Sequence, residues 1–482
     1  MNVRHIPSTY DDADMDIGIV HLGLGAFHRA HQAVFIEQFL ARTNGGPWGI
    51  AAANLRSNKA IVESMEKAGC AYHVAEYASR EDVVLREIRA IRQALFAGDD
   101  SSALLELMSR PEVRIVTLTV SEKGHYIGTN GQLLADDPVI VRDLEQPLLP
   151  KTPVGVLARA LEKRKQAGIA PFAVLSCDNL PENGRRVKNV VTAFAALRDD
   201  ALAAWIEQNT PFPCSMVDRL VPSMNDENFA NVASLLGKRD PNAIVGEDFK
   251  QWVVEDFGSE RPDWEEDGVY MTSDVRPYEY MKLRQLNGSH SLLAYLGGMA
   301  GKEIILDCMR EPLLAELAKR YLATEAGPSL AGVPEDVWQS NSAAILRRFS
   351  NDSLAHKTNQ IAMDGSQKIP QRWLNGTLIR LEQGAPCPCT ALGLAGWVYH
   401  MRERDENEQA FPMRDPWRES LLADLLPLLD QPETCIKTLF ARADLFPPAL
   451  ATNNAYRQQV QTMYSLILER GVLAAVQATL NS

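Results

Sequence analysis

The run Lys282-Leu283-Arg284-Gln285-Leu286-Asn287-Gly288-Ser289-His290 sets an amine, an amide and an imidazole at helical spacing. At about 100° per residue, Lys282, His290 and Asn287 fall near 0°, 80° and 140° on a helical wheel, so one broad face presents all three. An amine whose pKa is depressed by burial takes a proton from an alcohol. An amide donates to the developing alkoxide, and an imidazole fixes the hydroxyl or orients the amine. The same spacing also suits a solvated Lys and a satisfied His on an amphipathic helix.

A second candidate is His21-Leu22-Gly23-Leu24-Gly25-Ala26-Phe27-His28, between an apolar run and a helical one. Gly23 permits a tight turn and Gly25 lets backbone approach a pyrophosphate, as in a dinucleotide fingerprint. His28 stands where the third glycine of GxGxxG belongs, and an ordinary glycine turn accounts for the motif equally well. The second strand ends in Asn54-Leu55-Arg56-Ser57-Asn58-Lys59. A carboxylate there would select NAD; its absence, with Arg56 and Lys59 nearby, keeps NADP in play. Ser176-Cys177-Asp178-Asn179 and Thr119-Val120-Ser121-Glu122 put polar groups where strands end, which is where open α/β sheets bind ligands. His28 and His31 have metal-ligand spacing but no HExxH follows, and no third ligand is apparent. The loop 297–303 departs from a phosphate loop in spacing, and no GxSxG elbow occurs.

These residues need elements to hold them. Segments 18–22, 48–55, 113–120 and 172–177 are nearly continuous apolar runs, separated by helical stretches such as 29–40. That pattern predicts a parallel sheet covered on both faces. From about residue 275 helical periodicity takes over, with helices expected at 279–296, 312–324 and 417–429. The Gly/Pro-containing stretch 258–263 precedes the change.

A length of 482 residues suggests roughly two or three domains. Lys+Arg 49 against Asp+Glu 62 leaves a net charge of −13, which disfavours nucleic-acid partners. No apolar stretch approaches membrane-spanning length, and the acidic opening lacks a signal-peptide core. Seven scattered cysteines with no CxxC pair suit reduced thiols, so a cytoplasmic location is expected.

Taken jointly, Gly23-Leu24-Gly25-Ala26-Phe27-His28-Arg29-Ala30-His31, Ser176-Cys177-Asp178-Asn179, Met216-Val217-Asp218-Arg219 and the set Lys282, Asn287, His290 resemble the mannitol dehydrogenase family of polyol-specific long-chain dehydrogenases. Four ordered motifs are far harder to obtain by chance than one glycine turn. The resemblance implies an α/β Rossmann-type domain over 1–274 and a mostly α-helical domain over 275–482. It implies metal-independent hydride transfer with NAD, or NADP given Arg56 and Lys59, on a sugar substrate, by a monomer or small homo-oligomer. Lys282 is then the general acid/base, Asn179 and Asn287 stabilise the alkoxide, His290 positions substrate and Lys282, and Glu122 helps relay the proton. Gly23, Gly25, Phe27, Asn54, Arg56 and Asp218 are the expected cofactor residues. Asp218, Lys368, Gln360 and Arg284 are the expected substrate contacts, Arg284 and Lys368 being the cations for a carboxylate.

The segments 281–284 and 360–368 are most similar to the branch that reduces fructuronate; mannitol 2-dehydrogenases carry Arg where Gln360 stands. D-Fructuronate/D-mannonate is therefore the expected pair and D-fructose/D-mannitol the alternative, although Asn359 replaces that branch's Trp and 255–258 shortens its EDNF segment. A non-catalytic sugar or dinucleotide sensor is the competing reading, against which the intact Lys282, Asn287 and His290 set argues.

Overall fold

The computed structural model describes residues 1–11, 15–128, 130–353 and 356–482. It divides into two compact units, Met1–Arg276 and Pro277–Ser482, two residues beyond the boundary expected from the change in periodicity.

The N-terminal unit holds twelve strands among its described residues: β1 (Asn2–Ile6), β2 (Ile17–Leu22), β3 (Gly49–Asn54), β4 (Tyr72–Ser79), β5 (Asp82–Ile88), β6 (Ile91–Phe96), β7 (Ile115–Leu118), β8 (Ala173–Ser176), β9 (Ser215–Asp218), β10 (Ile244–Glu247), β11 (Gln251–Glu255) and β12 (Val269–Thr272). The four expected apolar runs are β2, β3, β7 and β8, and with β6 they form a five-stranded parallel sheet in the order β6-β3-β2-β7-β8. Alternate side chains enter different cores, as the two-residue period of a strand requires. Ile19, Ile50, Ala52, Ile115 and Leu175 join one cluster; Val20, Ala51, Ala53, Val116 and Val174 join the other. Because chain order reverses beside β2, the carboxyl ends of β2 and β7 form a topological switch point, where such sheets take ligands.

The remaining strands form a mixed sheet β1-β5-β4-β10 and a smaller one, β12-β11-β9. Apolar runs do not announce them: Tyr72–Ser79 and Asp82–Ile88 interleave His, Glu and Arg with Val and Leu, as an antiparallel pair with one wetter face does. The stretch 258–263 stays within this unit and leads into β12.

The helix expected over 29–40 starts earlier and is broken. It comprises α1 (Ala26–Ala30) and α2 (Gln32–Thr43), separated at His31, whose φ is −126° and ψ −86°. The ring of His31 is held there, Nε2 lying 2.9 Å from the Gln251 carbonyl and Nδ1 2.9 Å from Gln32 Nε2.

The C-terminal unit is helical around one core that includes Tyr295, Tyr321, Trp373 and Trp397. The helix expected over 279–296 is present but not uniform: Arg276–Met281 and Gly288–Met299 are α-helical, and Lys282–Asn287 between them is a π-helical turn. The helix expected over 312–324 likewise passes into a π turn at Leu322–Ala326, and the one at 417–429 tightens to a 3₁₀ turn at Leu426–Leu428. Gly297 serves helix packing, since a Cβ there would overlap Cys308 Sγ.

Candidate active site

β2 runs into Gly23, whose φ of +111° suits glycine, and whose N–H donates to the Ala53 carbonyl at 2.8 Å. Any Cβ there would overlap the Thr119 carbonyl oxygen at the end of β7. Thr119 Oγ1 donates to the Gly23 carbonyl at 3.0 Å, and His21 braces the same carbonyl with Nε2 at 2.9 Å while Nδ1 lies 2.7 Å from Thr117 Oγ1. Burial pushes the His21 imidazole down to about 4, so it is a neutral strut. His28, in the third-glycine position, stacks face to face on His21 with ring centroids 3.4 Å apart. In this chain the helix therefore rests on the strand through two stacked imidazoles rather than by glycine-permitted contact.

Gly25 is different. A Cβ there would meet only the Gly23 carbonyl, at 3.7 Å, so the space beside it is open. It borders a cavity of about 520 Å³ that also reaches Gly23, Asn54, Arg56, Ser57, Thr119 and Tyr126. Open space beside a glycine at the switch point suits the close approach of a pyrophosphate.

Asn54 closes β3, 7% exposed, with Nδ2 donating to the Asn58 carbonyl at 3.3 Å. Arg56 is exposed on the cavity rim and its Nη1 donates to Tyr126 Oη at 2.7 Å. Lys59 turns elsewhere: Nζ pairs with Asp99 at 3.1 Å and lies over the Phe96 ring, so it does not line the cavity. The lining cations are Arg56 and Lys123, with no carboxylate among the described lining residues. Arg56→Gln is accordingly expected to weaken NADPH about tenfold or more while changing NADH severalfold at most, one charge-assisted phosphate contact being lost in the first case only. Equal effects in paired fluorescence titrations would reduce Arg56 to general electrostatics.

Two expected cofactor residues lie outside this lining. Phe27 stacks on His31 with centroids 4.9 Å apart, and Asp218 is the buried last residue of β9, opposite Gln251 in the ladder. Of the six expected cofactor residues, Gly23, Gly25, Asn54 and Arg56 line the cavity.

Asp178 was the overlooked member of 176–179. Buried, it accepts from the backbone N–H groups of Val120 (3.1 Å) and Ser121 (2.9 Å), and from His125 Nε2 at 2.7 Å. Ser121 and Tyr126 have φ of +67° and +54°, unfavourable for L-residues, so this carboxylate holds a strained segment on the cavity edge. A buried carboxylate two residues past the end of a mostly apolar strand is the signal that could have found it. Asn179, next in sequence, is exposed. Glu122 lies in the short 3₁₀ segment Glu122–His125, and its side chain lies outside the described residues.

In the C-terminal unit Lys282 and Asn287 are the first and last residues of the π turn. This corrects the wheel. With i→i+5 closure, residues five apart stack much as i and i+4 do in an α-helix, so the turn draws Lys282 and Asn287 toward one side instead of 140° apart. His290 follows on the α-helix, stacks on Phe349 at 4.2 Å, and has Nε2 3.3 Å from His356 Nδ1. Burial first, then the neighbouring His356, holds the His290 imidazole well below its usual range, and burial pushes His356 down to about 4. Both rings are neutral near pH 7.

Lys368 is half-buried; Nζ donates to the Met363 carbonyl at 2.6 Å and lies 3.6 Å from Asp364. Burial and then the Arg372 guanidinium lower its pKa. Gln360 is exposed on the short helix Thr358–Ile361. Arg284, expected as a second carboxylate-binding cation, is 5% exposed, and its Nη1 donates to the Ser329 carbonyl at 2.6 Å. A guanidinium buried in this way serves the helical core. Arg372, not anticipated, contacts the Lys282–Asn287 turn directly, as described below.

Both ring nitrogens of His31 are already hydrogen-bonded, leaving no lone pair for a metal, and no group of three or more His, Cys, Asp or Glu suited to a metal occurs among the described residues. No helix among those residues is long and apolar enough to cross a membrane.

The family described as Mannitol dehydrogenase Rossmann domain matches residues 17–266, and Mannitol dehydrogenase C-terminal domain matches residues 274–468. The chain is 41% identical to D-mannonate oxidoreductase of Escherichia coli (strain K12), covering 98% of this chain and 97% of that protein. Among solved structures it is similar to a D-sorbitol dehydrogenase in substrate-free form, with TM-score 0.92, 31% identity and coverage of 98% and 97%. It is also similar to Pseudomonas fluorescens mannitol 2-dehydrogenase in ternary complex with NAD and D-mannitol, with TM-score 0.80, 33% identity and coverage of 99% and 97%. A Rossmann-type sheet with its glycine cradle, a helical unit carrying the Lys282 turn, and these end-to-end similarities have one explanation: the chain is an oxidoreductase of the mannitol dehydrogenase family.

Proposed function

We propose that this enzyme interconverts D-fructuronate and D-mannonate by hydride transfer with a nicotinamide dinucleotide. The observation that carries the choice of sugar is the end-to-end similarity to D-mannonate oxidoreductase. Gly23, Gly25, Asn54 and Arg56 would hold the dinucleotide, NAD or, through Arg56, NADP. When bound, it supplies or accepts the hydride at the carbon bearing the oxygen.

The chain's own residues manage the proton and the charge. In the oxidative direction Lys282 Nζ takes the hydroxyl proton, while Asn287 donates to the oxygen as negative charge develops; in reduction the steps reverse. Asn179 is proposed as a second donor to that oxygen, Asp218 as a contact to a substrate hydroxyl, and Glu122 as part of the proton's route to solvent. His290, neutral and backed by His356, offers a hydrogen bond without competing for the proton. Lys368 is the proposed cation for the substrate carboxylate, with Gln360 beside it on the preceding helix. Seven free, buried cysteines suit a reducing compartment, in keeping with a cytoplasmic enzyme.

The second reading, D-fructose/D-mannitol, is favoured by the likeness to a structure that binds D-mannitol and by the burial of Arg284 against the Ser329 carbonyl. Absorbance of the reduced nicotinamide, with NADH or NADPH offered each ketose, separates the two. Oxidation with D-fructuronate alone is expected. Oxidation with D-fructose alone would make this a polyol dehydrogenase, and silence with both, despite tight dinucleotide binding, would favour a sensor.

A further inference from the structure

The turn Lys282–Asn287 is one of three π-helical turns among the described residues of the C-terminal unit, the others being Leu322–Ala326 and Pro370–Leu374, and it packs against both. Such turns are uncommon because they disturb the regular ladder, so each needs something to hold it open. Here the disturbance is visible: the Gly288 N–H donates to the carbonyls of Leu283 and Gln285, passing over that of Arg284.

Side chains from the other two turns fill in. The hydroxyl of Tyr321, which leads into the second turn, donates to the Arg284 carbonyl at 2.7 Å. Arg372, in the third, donates from Nη1 to the Asn287 carbonyl at 3.3 Å and to Ser291 Oγ at 2.7 Å. Trp373 Nε1 donates to the Gly288 carbonyl at 3.1 Å. Tyr321 and Trp373 are each 1% exposed, so their bonds are made away from water, where losing one partner is expensive. Gly288 makes the approach feasible: a Cβ there would overlap Tyr321 Oη. Arg372 also faces the other candidate groups, its charge acting on both His290 and Lys368.

We infer that Arg372 and Tyr321 are positioning residues, which hold open the widened turn that sets Lys282 against Asn287. Without them the segment is free to relax toward ordinary α-helix, in which the two side chains separate around the axis. The inference rests on the assignment of Lys282 as the general acid/base.

The test uses the full-length enzyme and compares Arg372→Gln, Arg372→Lys and Tyr321→Phe. Arg372→Gln is expected to lower kcat about tenfold or more, since misplacement of catalytic groups by about 1 Å costs up to about a hundredfold. Dinucleotide affinity is expected to stay within about twofold of wild type, because the cradle is in the other unit. The midpoint of the kcat–pH profile is expected to move by about half a unit or more, because Lys282 then titrates in an altered setting. Arg372→Lys, which can remake one of the two bonds, should recover part of the loss. Tyr321→Phe deletes a single hydroxyl from a retained ring, and it carries the test if Arg372→Gln does not fold; a smaller loss with a midpoint shift in the same direction is expected. Near-wild-type kcat in the folded variants, or a lower kcat with an unmoved midpoint, as lost active protein would give, overturns the inference. Turnover surviving Lys282→Ala would sink the Lys282 assignment and this inference together. Turnover lost in Lys282→Ala but kept in Arg372→Gln and Tyr321→Phe would sink this inference alone.

Discussion

Lys282→Ala is expected to slow the chemical step by roughly 10²–10⁴-fold, the usual contribution of a positioned acid/base group, while the affinity for the dinucleotide stays near that of the wild type. The two halves of this expectation have separate causes. The cradle proposed to bind the dinucleotide is built from β2, β3 and the segment after β7 in the N-terminal unit, and Lys282 belongs to the other unit. The size of the rate effect follows from the scarcity of substitutes. His290 and His356 are held neutral by burial, so neither is a ready proton donor near pH 7, and Lys368 is engaged with the Met363 carbonyl. An amide such as Asn287 can stabilise the developing oxyanion but cannot take the proton that the alcohol gives up. Single-turnover kinetics at saturating dinucleotide, with fluorescence titration of NADH binding in parallel, checks both halves. A single-turnover rate within a fewfold of wild type would remove Lys282 from the mechanism, and a lost rate with equally lost binding would point to misfolding.

What the sequence discloses and what it conceals follow from how far each feature depends on local pattern. The strands β2, β3, β7 and β8 are legible because a parallel strand buried on both faces must be apolar throughout. The cradle is legible because Gly23 and Gly25 sit between such a strand and a helix. Strands β4 and β5 are not, since their alternation is diluted by Glu76 and Arg86, charges that the fold pairs across the sheet at 3.0 Å. The π turn is invisible to any fixed period: a wheel at 100° per residue assigns Lys282 and Asn287 to different parts of a face, while the turn that draws them together depends on Tyr321 and Arg372, distant in sequence. Arg284 is hard to read for the same reason. Its charge reads as a substrate cation in the sequence, and only the fold shows it buried with Nη1 bonded to the Ser329 carbonyl. Asp178 shows the converse, a residue quoted within a motif whose role is set by the backbone of a loop more than fifty residues earlier.

Gly23→Ala and Gly25→Ala are expected to differ in their effect on stability although the two glycines are two residues apart. At Gly23 the added methyl overlaps the Thr119 carbonyl, and the φ of +111° is itself unfavourable for alanine. Neither neighbour can yield cheaply. Gly23 N–H is bonded to Ala53 of β3, and Thr119 N–H to the Leu22 carbonyl, so relieving the overlap means parting strands of the central sheet. Overpacking of this kind costs about 1–3 kcal/mol, and the backbone conformation adds about 1–2 kcal/mol. Those amounts are a substantial part of the stability of an ordinary domain. Gly23→Ala is therefore expected to lower the melting temperature by several degrees and to abolish measurable dinucleotide binding together. Gly25→Ala meets only one protein atom, at ordinary contact distance, so the fold is expected to keep its melting temperature within about a degree. The methyl instead occupies the space a pyrophosphate must approach, so NADH binding is expected to weaken about tenfold or more. Thermal melts and NADH titrations on both variants decide the matter. Loss of stability in Gly25→Ala would mean that the glycine serves the turn rather than the cofactor, and undiminished NADH affinity in that variant would move the pyrophosphate away from this cradle altogether.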